Sequence, residues 1–179
     1  ELFIQVVRRV REVFGYYHVA IYTVDDETGR VEFRASTNPL GQQQGLRIEP
    51  GRGIISWVAA HGEPLLANDV AREPRYQAEE TLPHTRSELA VPLLVEGRTV
   101  GVLDIQSDRP DAFTPEDLST TQTLAGQVAV ATENARLYAA QQEQAWVSTA
   151  LLRAAETLAN LTGLDEVLET ANRLVPLLV

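Results

Sequence analysis

The chain contains no cysteine. This excludes disulfides, thiolate nucleophiles, iron–sulfur ligation and thioether attachment of a chromophore within these residues. Lysine is absent as well, and all 15 basic residues are arginine. That reads as a compositional habit of the source rather than as chemistry. The only histidines are His18, His61 and His84, and no two of them stand at metal-ligand spacing. Positive charge is in the minority, with 15 arginines against 25 acids and a formal net charge of −10. Phosphate binding needs clustered positive charge, so nucleic acid is not an expected partner, and the acidic balance reads as solubility. No uninterrupted apolar run of about 18 residues occurs, and no basic start leads into an apolar stretch. Neither a membrane span nor a signal peptide is expected. The expected location is the cytoplasm, without direct membrane contact.

Apolar residues make up 44% of the 179 positions. That suffices for one domain with a substantial core plus an extension. The chain opens at Glu1 already in helical pattern and closes on Leu177-Leu178-Val179. It is therefore expected to be a segment of a longer protein.

Phe3, Val6, Val7, Val10, Val13 and Phe14 recur at helical spacing, with Arg8, Arg9, Arg11 and Glu12 on the other face and Gly15 as the stop. His18 to Asp25 reads as a strand. Val19, Ile21 and Thr23 face one side and Ala20, Tyr22 and Val24 the other, which suits an inner strand covered on both faces. Asp26 to Gly29 turns it into a hairpin partner, Val31 to Ala35. A polar loop, Thr37 to Gly45, leads to a short strand, Leu46 to Ile48. After the Pro50-Gly51-Arg52-Gly53 break come a short apolar helix, Ile54 to Ala60, stopped by Gly62, and a short strand, Leu65 to Ala67. Asn68 to Arg86 then forms a long polar excursion, and a segment of this kind often covers a site. Glu88 to Val95 and Thr99 to Gln106 read as an antiparallel hairpin turned at Glu96-Gly97. Within it, Pro92 must face an edge or a bulge.

Thr114-Pro115-Glu116-Asp117 is a helix start: Thr114 caps, Pro115 suits the first helical position, and Asp117 stands where a capping-box acid stands. No strong breaker follows before Gly163, which predicts a helix of roughly 70 Å. Leu124, Val128, Ala131, Ala135 and Tyr138 follow the 4-3 spacing of a coiled coil. Gln141-Gln142-Glu143-Gln144 interrupts them, and Val147, Leu151, Ala154, Leu158 and Leu161 restart in another register. The interruption reads as a domain boundary. Asp165 is expected to cap a last helix, Glu166 to Leu174, stopped by Pro176.

This order of elements carries several specific strings. They include Gly15-Tyr16-Tyr17-His18-Val19, Gly51-Arg52-Gly53 and Trp57-Val58-Ala59-Ala60-His61-Gly62-Glu63-Pro64. Asn68-Asp69-Val70 with Pro74-Arg75-Tyr76 follows, then Leu82-Pro83-His84-Thr85-Arg86-Ser87-Glu88-Leu89-Ala90-Val91-Pro92-Leu93. Gly101-Val102-Leu103-Asp104-Ile105-Gln106-Ser107, Phe113-Thr114 and Glu133-Asn134-Ala135-Arg136-Leu137-Tyr138 complete the set. Together they resemble the GAF domain family over residues 1 to 140, most closely the tandem modules of bacterial sensor kinases and related regulators. Residues 141 to 179 look like a helical linker and the first helices of a following domain, a second GAF by resemblance.

The resemblance implies an α+β fold: a central antiparallel sheet of about six strands with helices on both faces, plus the long C-terminal helix. It implies a ligand cavity under the excursion, with Asp69, Tyr76, Arg86 and Asp104 as candidate ligand-binding residues, and homodimerisation through the terminal helices. It does not predict catalysis, no cofactor is expected, and the parent protein is expected to be a histidine kinase or another signalling enzyme. Cyclic-nucleotide-binding members carry an Asn-Lys pair, then a Phe and an Asp-Glu pair. Phe113 and Asp117 match that spacing, but Gln106-Ser107 replace Asn-Lys and Leu118 replaces the final Glu. Phe113 is expected to be a core anchor and Asp117 a helix cap. Members that attach bilins, or reduce free methionine sulfoxide, work through cysteine, which this chain lacks. His84 is the one candidate for haem, and an exposed or hydrogen-bonded histidine is the expected outcome. Ser87 and Glu88 are adjacent in a strand and point to opposite faces, so they cannot form a relay. They are expected to supply start-of-strand hydrogen bonding and a surface charge. Asp104, placed by alternation with Val100, Val102 and Gln106, is expected to pair with Arg86 or Arg75. The expected function is a sensory module that binds a small molecule or partner and signals through a dimeric helix. The alternative is a ligand-free dimerisation spacer.

Overall fold

Among the described residues, the chain's alternation and breakers resolve into ten segments of regular structure, the last of them long. The computed structural model describes residues 2–25, 27–38, 47–48 and 51–174, with side chains as far as residue 157. In chain order these segments are α1 (Leu2–Phe14), β1 (His18–Val24), β2 (Val31–Ser36), β3 (Arg47–Ile48), α2 (Gly53–His61), β4 (Leu65–Ala67), a 3-10 turn (Val70–Arg72), β5 (Ser87–Val95), β6 (Arg98–Ser107) and α3 (Pro115–Leu174). The expected turn residue Asp26, most of the 37–45 loop, Leu46, Pro50 and the Pro176 stop lie outside the described residues.

The strands form one six-stranded sheet in the order β3-β2-β1-β6-β5-β4, and every pairing is antiparallel. The central strands β1 and β6 are covered on both faces, as their doubly apolar pattern requires. One face packs Val19, Ile21, Leu89, Val91, Leu93, Leu103 and Ile105 against Val7 and Val10 of α1 and Ala125, Val128 and Ala129 of α3. The other packs Ala20, Tyr22, Ala90 and Val102 against Ile54, Ile55 and Val58 of α2. Because β4 reaches only Glu88 to Ala90, Pro92 has no second strand beside it, as its missing N–H demands.

Helix ends follow local chemistry. Gly62 closes α2 at φ 66°, with its N–H bonded to the Val58 carbonyl. Thr114 and Asp117 exchange side-chain and backbone hydrogen bonds of 2.7 to 3.2 Å at the start of α3. Phe113 is buried in the core as expected.

Two expectations for α3 are corrected. The helix runs unbroken for 60 residues through Gly163 and residue 165, so no new helix begins there. A single glycine costs only about 1 kcal/mol in a helix and need not end one. Val128 is not a coiled-coil position either: at 6% exposure it belongs to the stripe Thr121, Ala125, Val128, Ala129 and Thr132 that covers the chain's own sheet. By contact density the chain divides into two units, Glu1–Glu133 and Asn134–Val179. The second is helical as far as Leu174, and it exposes Leu137, Tyr138, Trp146, Val147, Leu151 and Leu152.

Candidate functional site

The β5–β6 hairpin places its side chains through a single irregularity. Next to the turn, Val95 pairs with Arg98 and Leu94 with Thr99; beyond it, Leu93 pairs with Gly101. Val100 is the extra residue, a β-bulge. The shift puts Val100 in the α1/α3 core instead of on the face of Asp104 where alternation had placed it. It also sets Glu88 opposite Gln106, with Ala90 opposite Asp104. Glu88, Asp104 and Gln106 thus share the sheet face toward α2 and the excursion, and Glu88 and Asp104 are diagonal neighbours.

Both acids are buried, Asp104 at 0% exposure and Glu88 at 4%. The surface charge expected of Glu88 is therefore a core acid. Gln106 Nε2 donates to Asp104 Oδ2 at 2.9 Å, while Gln106 Oε1 accepts from the Thr85 hydroxyl at 2.7 Å. Asp104 Oδ1 is buried without a well-formed hydrogen bond of its own, and the carboxyl is approached besides by Glu88 and the Ile105 N–H. The Glu88 and Asp104 carboxyls are hydrogen-bonding neighbours, and their burial favours the protonated form of both. Burial, foremost, raises Asp104 to about 7, with Glu79 adding to the rise. Burial and the neighbouring Asp104 charge push Glu88 well above the usual carboxylate range. Glu79 is raised too, by burial. Two carboxylates in contact away from water cannot both ionise without a counter-charge.

The excursion is pinned over this face. Arg75 stacks on Trp57 of α2 at 4.6 Å and ion-pairs with Glu73 at 3.2 Å, and Trp57 stacks on His61. Tyr76 packs against the apolar cluster of the same face. At its base, Asn68 Nδ2 donates to the Phe113 carbonyl at 2.8 Å and Asn68 Oδ1 accepts the Phe113 N–H at 3.1 Å. Ser87 Oγ lies within hydrogen-bonding distance of both the Asn68 and Arg109 carbonyls. This realises the start-of-strand role expected of Ser87. Asn68→Ala removes both partners of the Phe113 peptide groups. The expected loss in urea unfolding is about 2–3 kcal/mol, with Asn68→Asp, which keeps the acceptor, losing less.

Of the four residues expected to touch a ligand, Tyr76 and Asp104 share the site. Asp69 caps the 3-10 turn, accepting from Ala71 N at 3.2 Å and pairing with Arg72 at 3.4 Å. Arg86 is exposed and serves through its backbone, donating to the Ser107 carbonyl at 2.8 Å and accepting from Val70 N at 3.0 Å. Neither Arg86 nor Arg75 reaches Asp104, correcting the expected ion pair. Glu88 and Gln106 were missed as site residues; the signal was the polar residues at alternate positions of an otherwise apolar hairpin. His84 is exposed.

The family model for the GAF domain matches residues 1–132. GAF domain-containing protein A of Dictyostelium discoideum is 31% identical over 112 residues, 60% of this chain. The chain spans 65% of that relative's length. The GAF domain of a phosphoenolpyruvate-protein phosphotransferase from Coxiella burnetii superposes with a TM-score of 0.70 at 27% identity, covering 77% of this chain and 84% of that one. A free methionine-R-sulfoxide reductase from Neisseria meningitidis, solved in complex with its substrate, gives 0.64 at 28% identity, covering 76% and 78%. With the six-stranded antiparallel sheet and its two helical layers, these matches place the chain in the GAF domain family.

Proposed function

We propose that this chain is a non-catalytic sensory module of a longer signalling protein, of the tandem type found in sensor kinases, that binds a small molecule beneath the 68–86 excursion. The observation that carries this reading is Asp104: a fully buried acid set beside a second buried acid, Glu88, on a face the excursion covers. A polar group of this kind costs stability and gains its partner when a ligand supplies one. The chemistry of the methionine sulfoxide reductases does not transfer, because no cysteine is present.

Asn68 ties the base of the excursion to Phe113, immediately before α3, so movement of the cover is felt at the start of that helix. Transmission runs through a homodimer of the terminal helices. Its support is an apolar groove of about 510 Å³ between α1 and α3, lined by Val10, Val13, Phe14 and Leu124. A second support is the row of exposed apolar residues from Leu137 to Leu152. The close packing around Asp104 favours a second reading, a ligand-free spacer.

Native mass spectrometry of the purified chain tests the two. A small molecule released on denaturation is expected, and a bare mass under gentle conditions favours the spacer. Ala135→Cys gives a chain with one cysteine. Oxidation is expected to yield disulfide-linked dimer, and a purely monomeric product removes the dimeric helix.

A further inference from the structure

A cleft of about 440 Å³ opens where the end of α1, the entry to β1 and the connection from β6 to α3 meet. Its size suits a small molecule. It lies on the side of the sheet away from the excursion, since Tyr16 and Phe113, which line it, pack with the α1/α3 core. Part of the lining is aromatic. Phe14 stacks on Tyr16 with ring centroids 5.5 Å apart and an interplanar angle of 12°, and Tyr16 meets Phe113 at 5.8 Å. Phe14 stays 40% exposed, so its ring keeps apolar surface in contact with solvent.

The lining also holds two guanidinium groups, Arg11 from the last turn of α1 and Arg109 from the connection to α3. Among the described residues neither meets a carboxylate within ion-pairing distance. Arg11 gives one N–H to the Thr37 carbonyl at 3.4 Å, which leaves most of its five donors uncommitted. Two acids complete the charge pattern. Asp117 is turned to Thr114, accepting from its N–H at 2.8 Å and its hydroxyl at 2.7 Å, and Asp108 is exposed. These acids tell against a multiply charged anion such as phosphate, whereas a guanidinium fork matches a single carboxylate.

We propose that this cleft binds a small aromatic carboxylate, with its carboxylate on Arg11 and Arg109 and its ring against Phe14 and Tyr16. The site is separate from the ligand space beneath the excursion and does not depend on it. A carboxylate bridging the two arginines ties the last turn of α1 to the segment that leads into α3, and so acts on the helices themselves.

The test follows sodium benzoate binding to the full chain by ligand-observed NMR. Benzyl alcohol is the neutral match, sodium acetate the match without a ring, and inorganic phosphate the multiply charged anion. Benzoate is expected to bind, and each of the other three at least about tenfold more weakly. Arg11→Gln and Arg109→Gln are each expected to weaken benzoate by about tenfold, the scale of one charge-assisted hydrogen bond. Both side chains are exposed, so both variants are expected to keep the parent's urea midpoint. Arg52→Gln, at the exposed residue before α2 on the other side of the sheet, is expected to bind as the parent does. Phe14→Leu is expected to weaken benzoate by about threefold through loss of the ring contact. Absence of benzoate binding, equal binding of benzyl alcohol or phosphate, parent-like binding in both arginine variants, or an equal loss in Arg52→Gln overturns the carboxylate site. Acetate binding as tightly as benzoate, or a parent-like Phe14→Leu, overturns its aromatic part. A ligand found beneath the excursion, or none, leaves these outcomes unchanged, so the two readings fail separately.

Discussion

Replacing Asp104 with asparagine is expected to raise the melting temperature at pH 8 and to leave it nearly unchanged at pH 4. In the unfolded chain an aspartate ionises near 3.9 and a glutamate near 4.3. In the fold, burial raises Asp104 to about 7 and raises Glu88 as well. A group whose folded pKa is raised keeps its proton in the native state while the unfolded state has released it. The pair's contribution to stability is therefore fully present below about pH 4 and declines as pH rises toward 7. At pH 8 the deficit is on the order of a few kcal/mol. Asparagine keeps the shape, accepts from Gln106 and donates to Glu88. The expected rise is roughly 5–10 °C.

His18 acts in the opposite direction. Burial lowers it to about 4, helped by the Arg11 charge, so its contribution is present above pH 6.5 and is lost as pH falls toward 4. It is common to both proteins, so the difference between their melting curves isolates the acid pair. A variant no more stable than the parent at pH 8 refutes this account.

Gly101→Ala is expected to be strongly destabilising, by about 3 kcal/mol or more. Gly101 lies in β6 between Thr23 of β1 and Leu93 of β5, directly beside the Val100 bulge. A Cβ at this position runs into the backbone carbonyl oxygen of Tyr22 and lies 2.9 Å from Leu93 Cδ1. The leucine can turn, but the carbonyl belongs to a paired strand and moves only if β1 moves. Tyr22 flanks the acid pair, so the displacement also reaches the site. Urea unfolding measures the loss, and a change below about 1 kcal/mol would show that the sheet yields more easily than this packing allows.

Much of the architecture follows from local chemistry that one sequence carries. Period-two apolar runs made β1, β5 and β6 readable, Gly62 ended α2, and Thr114 with Asp117 started α3. The absence of cysteine settled which chemistries are unavailable. The same spacing rules misread Val128, because a 4-3 pattern looks alike whether it meets a partner helix or the chain's own sheet. They misread Asp104 as an ion-pair partner because charge complementarity along a sequence says nothing about reach.

The site itself was decided by register. With side chains alternating at period two, one inserted residue moves every later position to the other face. Counted straight back from the Glu96-Gly97 turn, Glu88 would stand opposite Ile105 and Leu89 opposite Asp104. The bulge at Val100 shifts the pairing by one, matching Leu89 with Ile105 and setting Glu88 on the face of Asp104 and Gln106. The sequence by itself determined the elements, their caps and the absence of thiol chemistry, because those depend on neighbours in the chain. Only the tertiary structure decided that two acids 16 positions apart meet in the core, because that depends on one extra residue in the hairpin and on the packing that holds it there.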